Sequence, residues 1–127
     1  MKRTEFNSPD VPLPLGGYSQ VVALENHKRL VFVSGQIPAD KAGGVPPDFP
    51  SQAAQVWANI DAQLATAGMT KADIVKVNVF LSDRQYALPN RAARQAYLGD
   101  LRPAMSVIIC GIFDDAWLLE IEVIAAQ

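Results

Sequence analysis

Apolar positions along this chain recur with two different periods, and each change of period marks a new element. Tyr18 to Leu24 and Leu30 to Gln36 are β-prone runs flanking the polar stretch Glu25-Asn26-His27-Lys28-Arg29, a pattern that predicts a hairpin. Further on the period lengthens, and Ala53, Val56, Trp57, Ile60 and Leu64 fall on one stripe of a helix. Asp48 or Ser51 offers its N-cap, Pro50 suits its first turn and Gly68 ends it. Period two returns over Asp73 to Leu81, where Val75, Val77, Val79 and Leu81 oppose Lys76 and Asn78, with Phe80 interrupting the polar face. Ser82 or Asp83 caps a short turn, and Pro89 opens a second helix that runs to about Leu98, stops at Gly99 and carries Arg91 and Arg94 outward. Ala104 to Cys110 and Trp117 to Ala125 are the last two strands. In the second of these, Leu119, Ile121, Val123 and Ala125 share one face, and Leu118, Glu120, Glu122 and Ile124 share the other.

This order of elements predicts an α+β domain spanning residues 1–127, a mixed sheet with two helices on one face. Pro9, Pro12 and Pro14 leave residues 1–16 as an extended arm. Two helices cover one side of such a sheet. The other side, with Phe32, Ser34, Phe80, Leu118 and Ile124 available by parity, is too apolar to face water and predicts self-association. Glu120 falls on that same side, so its carboxylate is drawn toward a cleft between copies of the chain. Closed symmetry is expected, but the pattern does not choose between two copies and three.

Composition narrows the function classes. The chain is 50% hydrophobic and 19% charged, lacks an apolar run long enough to span a bilayer, and begins without a secretory pattern, so a soluble cytoplasmic protein is expected, with no membrane partner. A net charge of −2 with scattered lysines and arginines gives nucleic acid no basic track to follow. One histidine and one cysteine, His27 and Cys110, lie too far apart to begin a metal site, and Gly43-Gly44 runs into prolines and not into a phosphate loop. Neither a metal nor a cofactor is expected. His27 reads as a solvated turn residue and Cys110 as a packing residue.

The run Leu30-Val31-Phe32-Val33-Ser34-Gly35-Gln36-Ile37-Pro38 ends a strand in small polar groups, the arrangement that delivers backbone and hydroxyl to a ligand. With Gly17-Tyr18-Ser19-Gln20, Pro103-Ala104-Met105-Ser106 and Leu119-Glu120-Ile121-Glu122, it resembles the reactive intermediate deaminase family, also called Rid or YjgF, from about Leu15 to Ile124. The resemblance implies a chorismate-mutase-like fold and a homotrimer with a small-molecule cleft between neighbouring subunits. It implies that Tyr18, Ser34, Gly35 and Asn90 contact the ligand, and that Glu120 positions the water that attacks an imine carbon and releases ammonia. A positioned carboxylate suits that role because the water must give up a proton as it attacks. Each residue also has a structural reading. Tyr18 could cover a sheet edge, Ser34 could satisfy a backbone group at its strand end, and Glu120 could be solvated, as is expected for Glu122.

Two positions depart from the family pattern. Gly17 stands where the family usually shows proline, which frees the loop ahead of Tyr18. Met105 stands where active members carry the arginine that grips a substrate carboxylate, and a thioether has no donor to offer. Arg102, on the opposite parity and ahead of Pro103, is a poor replacement. The expected ligand is therefore neutral or apolar at that end, and the expected activity is imine or enamine deamination, with a noncatalytic binding trimer as the alternative and ribonuclease activity disfavoured by charge.

Overall fold

The computed structural model describes residues 1–127. Strands β1 (Lys2–Phe6) and β2 (Val21–Glu25) form a two-stranded antiparallel ribbon. A four-stranded sheet in the order β3-β6-β4-β5 combines β3 (Leu30–Gln36), β4 (Ile74–Leu81), β5 (Ala104–Ile109) and β6 (Leu119–Ala126). Strands β4 and β5 are parallel, and the other neighbours are antiparallel. Helices α1 (Phe49–Thr66) and α2 (Ala87–Leu98) cover one face, so the α+β architecture of two helices on a mixed sheet stands.

The period arguments hold where burial is one-sided. Asp48 caps α1 by accepting from the Ser51 N–H at 3.3 Å, and Gly68 leaves the helix with a positive φ of 74°. Ala53, Val56, Trp57, Ile60 and Leu64 are all buried against Val77, Val79, Leu81, Leu119, Ile121 and Val123 of the sheet. Each fully buried aliphatic in this layer contributes about 1.5–3 kcal/mol from leaving water. Gln52 is buried within the same helix yet fully used: its amide nitrogen donates to the Pro46 and Ala116 carbonyls at 2.8 and 2.9 Å, and its oxygen accepts from the Leu118 N–H at 2.8 Å. This fixes the segment entering β6, two residues before Glu120. It also draws Leu118 against the core, away from the open face that parity assigned to it.

Three expectations need correction. The hairpin across residues 25–29 does not form: β2 pairs with β1, and β3 pairs with β6. Lys28 and Arg29 both donate to the Gln127 carbonyl, at 2.8 and 2.9 Å, which steers the chain after Asn26 (φ 58°) onto the C-terminal strand. Val33 of β3 is buried in the core beside β6, whereas no residue of β2 is buried. The arm over residues 1–16 is extended as expected, but Lys2–Phe6 supplies β2 with its partner. Helix α2 starts at Ala87, ahead of Pro89, after a single 3₁₀ turn at Arg84–Tyr86 that Asp83 caps.

Candidate functional site

The predicted site residues separate into two groups, each on its own part of the sheet. The first lies on β3 and β6. Val33 pairs with Val123 and Gln36 with Ile121, so Ser34 and Gly35 together face the single residue Glu122, which is a β-bulge. The extra residue turns Ser34 outward to solvent and brings the Gly35 backbone under the Glu120 side chain. A Cβ built on Gly35 would overlap Glu120 Oε2 and stand 2.8 Å from its Cδ. The carboxylate keeps this place only because residue 35 has no Cβ. Glu122 is tied by Asn78 Nδ2, which donates to its Oε1 at 3.0 Å, whereas Glu120 receives no side-chain hydrogen bond and stays half-buried on the open face. The two carboxylates of similar parity therefore differ in availability, and Glu120 is the free one.

The second group gathers at the β5 edge. Tyr18 precedes Ser19, whose N–H donates to the Pro103 carbonyl at 3.1 Å and which bridges Ala104. Met105 pairs with Val77 on the helix-covered face and packs against the core rim. Asn90 is 2% exposed on α2, and its Oδ1 has no hydrogen-bond partner.

Arg94, one turn beyond Asn90, does not point outward as its helix position was read: it is 5% exposed and turned down onto this group. Its Nη1 lies 2.9 Å from Met105 Sδ, and its guanidinium carbon sits 5.8 Å from the Tyr18 ring centroid. A Cβ on Gly16 would stand 2.5 Å from Nη2, so the glycine loop lies directly against the cation. Arg94 makes no ion pair with any carboxylate of the chain, and its Nε is unpartnered. Burial first, and the nearby Arg91 second, push its pKa below the usual arginine value, with Tyr18 opposing. Arg102, the replacement considered from sequence, instead donates to the Gly99 and Leu101 carbonyls, each at 3.1 Å, and serves the end of α2.

The two groups lie on opposite faces of the sheet: Met105 is in register with core-facing Val77, and Glu120 is in register with Phe80 on the open side. The open face carries Phe32, 71% exposed, beside a shallow depression lined by Ser34, Lys76, Asn78, Glu122 and Ile124. The outer edge of β5 exposes Val107, Ile108 and Ile109. No group of three or more His, Cys, Asp or Glu side chains converges as metal ligands would, and no helix is long and apolar enough to cross a membrane.

A two-layer α+β fold with a bulged strand under a free carboxylate defines the class to which known proteins can be compared. A family model described as Endoribonuclease L-PSP matches residues 9–127, and the chain belongs to this family, the Rid/YjgF proteins. It is 35% identical over 127 residues to a RutC family protein of Pyrococcus horikoshii, covering 98% of each chain. It is 34% identical over 122 residues to the 2-iminobutanoate/2-iminopropanoate deaminase of Escherichia coli, covering 93% of each. Among solved structures, a Rid family protein of unknown function from Yersinia pestis superposes with a TM-score of 0.86 at 25% identity, covering all of both chains. The YjgF gene product of E. coli superposes with a TM-score of 0.73 at 32% identity, covering 98% of both.

Proposed function

We propose that this chain hydrolyses a reactive imine or enamine, releasing ammonia and a carbonyl compound, in a cleft shared between neighbouring subunits of a homotrimer. The observation that carries the reading is the Glu120 carboxylate laid over the Gly35 bulge and left free of protein donors. In that position it can hold a water beside a ligand resting on the Ser34–Gly35 backbone. The water oxygen bonds to the imine carbon as the carbon–nitrogen double bond opens, and Glu120 takes the water's proton and passes it to the nitrogen; the carbinolamine so formed then gives up its hydroxyl proton to the nitrogen as the carbonyl forms, the remaining carbon–nitrogen bond breaks and ammonia leaves. The name of the E. coli relative, an imine deaminase, supports the same chemistry.

The placement of the residues supports a shared cleft. Tyr18, Asn90 and Met105 stand at one edge and face of the sheet, and Ser34, Gly35 and Glu120 on the other, and in this reading each protomer contributes two half-sites. Packing the exposed β5 edge of one copy against the Phe32 face of the next would join them and cover both apolar surfaces. Ribonuclease activity, the wording attached to the family model, finds no basic track in a chain of net charge −2.

Ammonia release from freshly generated 2-aminoacrylate, and from a bulkier imine, tests the proposal. Acceleration by the wild-type protein and loss of at least a hundredfold in Glu120→Gln are expected, in the range of a general base. Saturable ligand binding with no acceleration for either compound would leave a binding protein and remove the enzyme.

A further inference from the structure

We infer that Arg94 is the anion-binding residue of this cleft, so that the positive clamp missing at position 105 of β5 is supplied from helix α2 and the ligand carries a carboxylate. The inference rests on the reading of the cleft given above and reverses the expectation of a ligand neutral at that end.

Three observations carry it. The first is the charge itself. A guanidinium that is 5% exposed, with no carboxylate of its own chain as partner and Nε unpaired, is a buried cation whose contacts include a ring face and a thioether but no anion. Such a group costs stability unless an anion completes it. The second is its surroundings. Tyr18 and Met105, which stand at positions the family resemblance places around the ligand, both touch Arg94, and Asn90 lies one helical turn before it. The third is the nature of the contact with Met105. A thioether is a weak acceptor on a flexible side chain, so the 2.9 Å contact between Arg94 Nη1 and Met105 Sδ is one that a carboxylate oxygen would displace readily. Met105 is half-buried and has three rotatable bonds with which to move aside. Gly16 lies against Nη2, and its lack of a Cβ is what lets the loop pass that close to the guanidinium.

The ligand class that fits is a small, planar monocarboxylate bound side-on to one guanidinium, as the α-imino acids and their α-keto acid products are. With its carboxylate on Arg94, the reacting carbon would extend across the subunit boundary toward Glu120 of the neighbouring copy.

Binding of pyruvate and of its uncharged methyl ester to the purified wild-type assembly, by calorimetry, reads this directly. Pyruvate should bind about ten- to a hundredfold more tightly than the ester, and Arg94→Gln should abolish the difference while ester binding changes little. The exchanged double variant, Arg94→Leu with Met105→Arg, returns a cation to the same place and should recover the preference for the acid. Circular dichroism and thermal melting confirm which variants fold, and Arg94→Lys, which keeps the charge, should retain part of the preference if Arg94→Gln does not fold. Equal affinity of the wild type for acid and ester, or an acid preference unchanged in Arg94→Gln, would overturn the inference. Loss of turnover in Glu120→Gln with the acid preference intact separates this inference from the proposed reaction: the clamp then stands whether or not the imine is hydrolysed.

Discussion

Arg94 Nη1 stands 2.9 Å from Met105 Sδ, which joins helix α2 to the edge strand β5 through a buried cation and a soft, weakly accepting sulfur. Neither residue explains the other's position by strength of contact, since a thioether returns little to a desolvated guanidinium. The pair is instead the point at which helix and strand can each offer one charge to the proposed cleft: arginine stands on the helix here, and methionine on the strand. An arginine on each would set two like charges against one another.

That conflict yields the first prediction. Met105→Arg should bring a second guanidinium against Arg94 in a place where burial already lowers the Arg94 pKa. Two like charges in a buried site should lower stability by about 1–3 kcal/mol, seen as a drop of several degrees in Tm. Combining it with Arg94→Leu should remove most of the loss, giving a coupling energy well above the few tenths of a kcal/mol that independent sites show. Additive effects of the two changes would mean that the side chains diverge.

Much of this fold is legible from sequence wherever a stripe or an alternation is buried on one side. Helix α1, strand β4 and the alternation of β6 from Leu119 follow from period alone, and so does the open face holding Glu120. Pairing was less legible. The apolar run of β3 announces a strand but not its neighbour, and the Gln127 backbone that captures Lys28 and Arg29 lies a hundred residues away in the chain. Arg94 was misread because charge on a helix ordinarily marks the solvated face. A signal was nevertheless present: Asn90, Arg94 and Leu98 repeat every fourth residue, so once Asn90 is placed in a cleft, Arg94 must lie beneath the same face. The bulge at Ser34–Gly35 was visible only as a glycine in a strand, and what that glycine accommodates depends on Glu120, brought alongside by the β3–β6 pairing.

A pH effect should come from Tyr97. Its ring stacks on Trp57 with centroids 4.4 Å apart, its hydroxyl donates to Asp61 across the two helices, and burial, reinforced by that carboxylate, holds its pKa well above the usual phenol value. In the unfolded chain Tyr97 ionises near its ordinary pKa of about 10, whereas in the folded chain it stays protonated. Its contribution is therefore complete below about pH 10 and is lost as the pH climbs from there toward the raised folded value. Thermal melts between pH 8 and 11 should show a Tm that falls more steeply above pH 10 in wild type than in Tyr97→Phe. At pH 8 the variant should be less stable by about 1 kcal/mol, the usual worth of one hydrogen bond.

Assembly can be tested through Phe32. The side chain projects from β3 opposite Ile124, 71% exposed in the single chain, at the centre of the face proposed to meet a neighbour. Sedimentation of the wild type should give three times the 13.8 kDa chain mass. Phe32→Glu places a charge where a dry contact is required and should shift the protein to a smaller species with an unchanged far-ultraviolet circular dichroism spectrum. Imine hydrolysis should disappear together with the trimer, since each half-site then lacks its complement. A monomeric wild type with full activity would contradict the shared cleft.

The bulge offers the sharpest test of the carboxylate. In Gly35→Ala the new methyl group and the Glu120 side chain cannot both keep their places, because a Cβ there would overlap Oε2 and come within 2.8 Å of Cδ. Glu120 is half-buried at the end of a flexible side chain, so it is the group that yields, by rotating away from the bulge. The cost in stability should then stay near 1 kcal/mol, while ammonia release falls by at least tenfold with little change in the affinity for pyruvate, whose carboxylate is assigned to Arg94. This division, with rate lost and acid binding kept, is what separates a displaced water-directing group from a damaged fold, in which both would decline together. A Gly35→Ala protein that hydrolyses imines at the wild-type rate would show that Glu120 acts from some other position than the one it takes over the bulge.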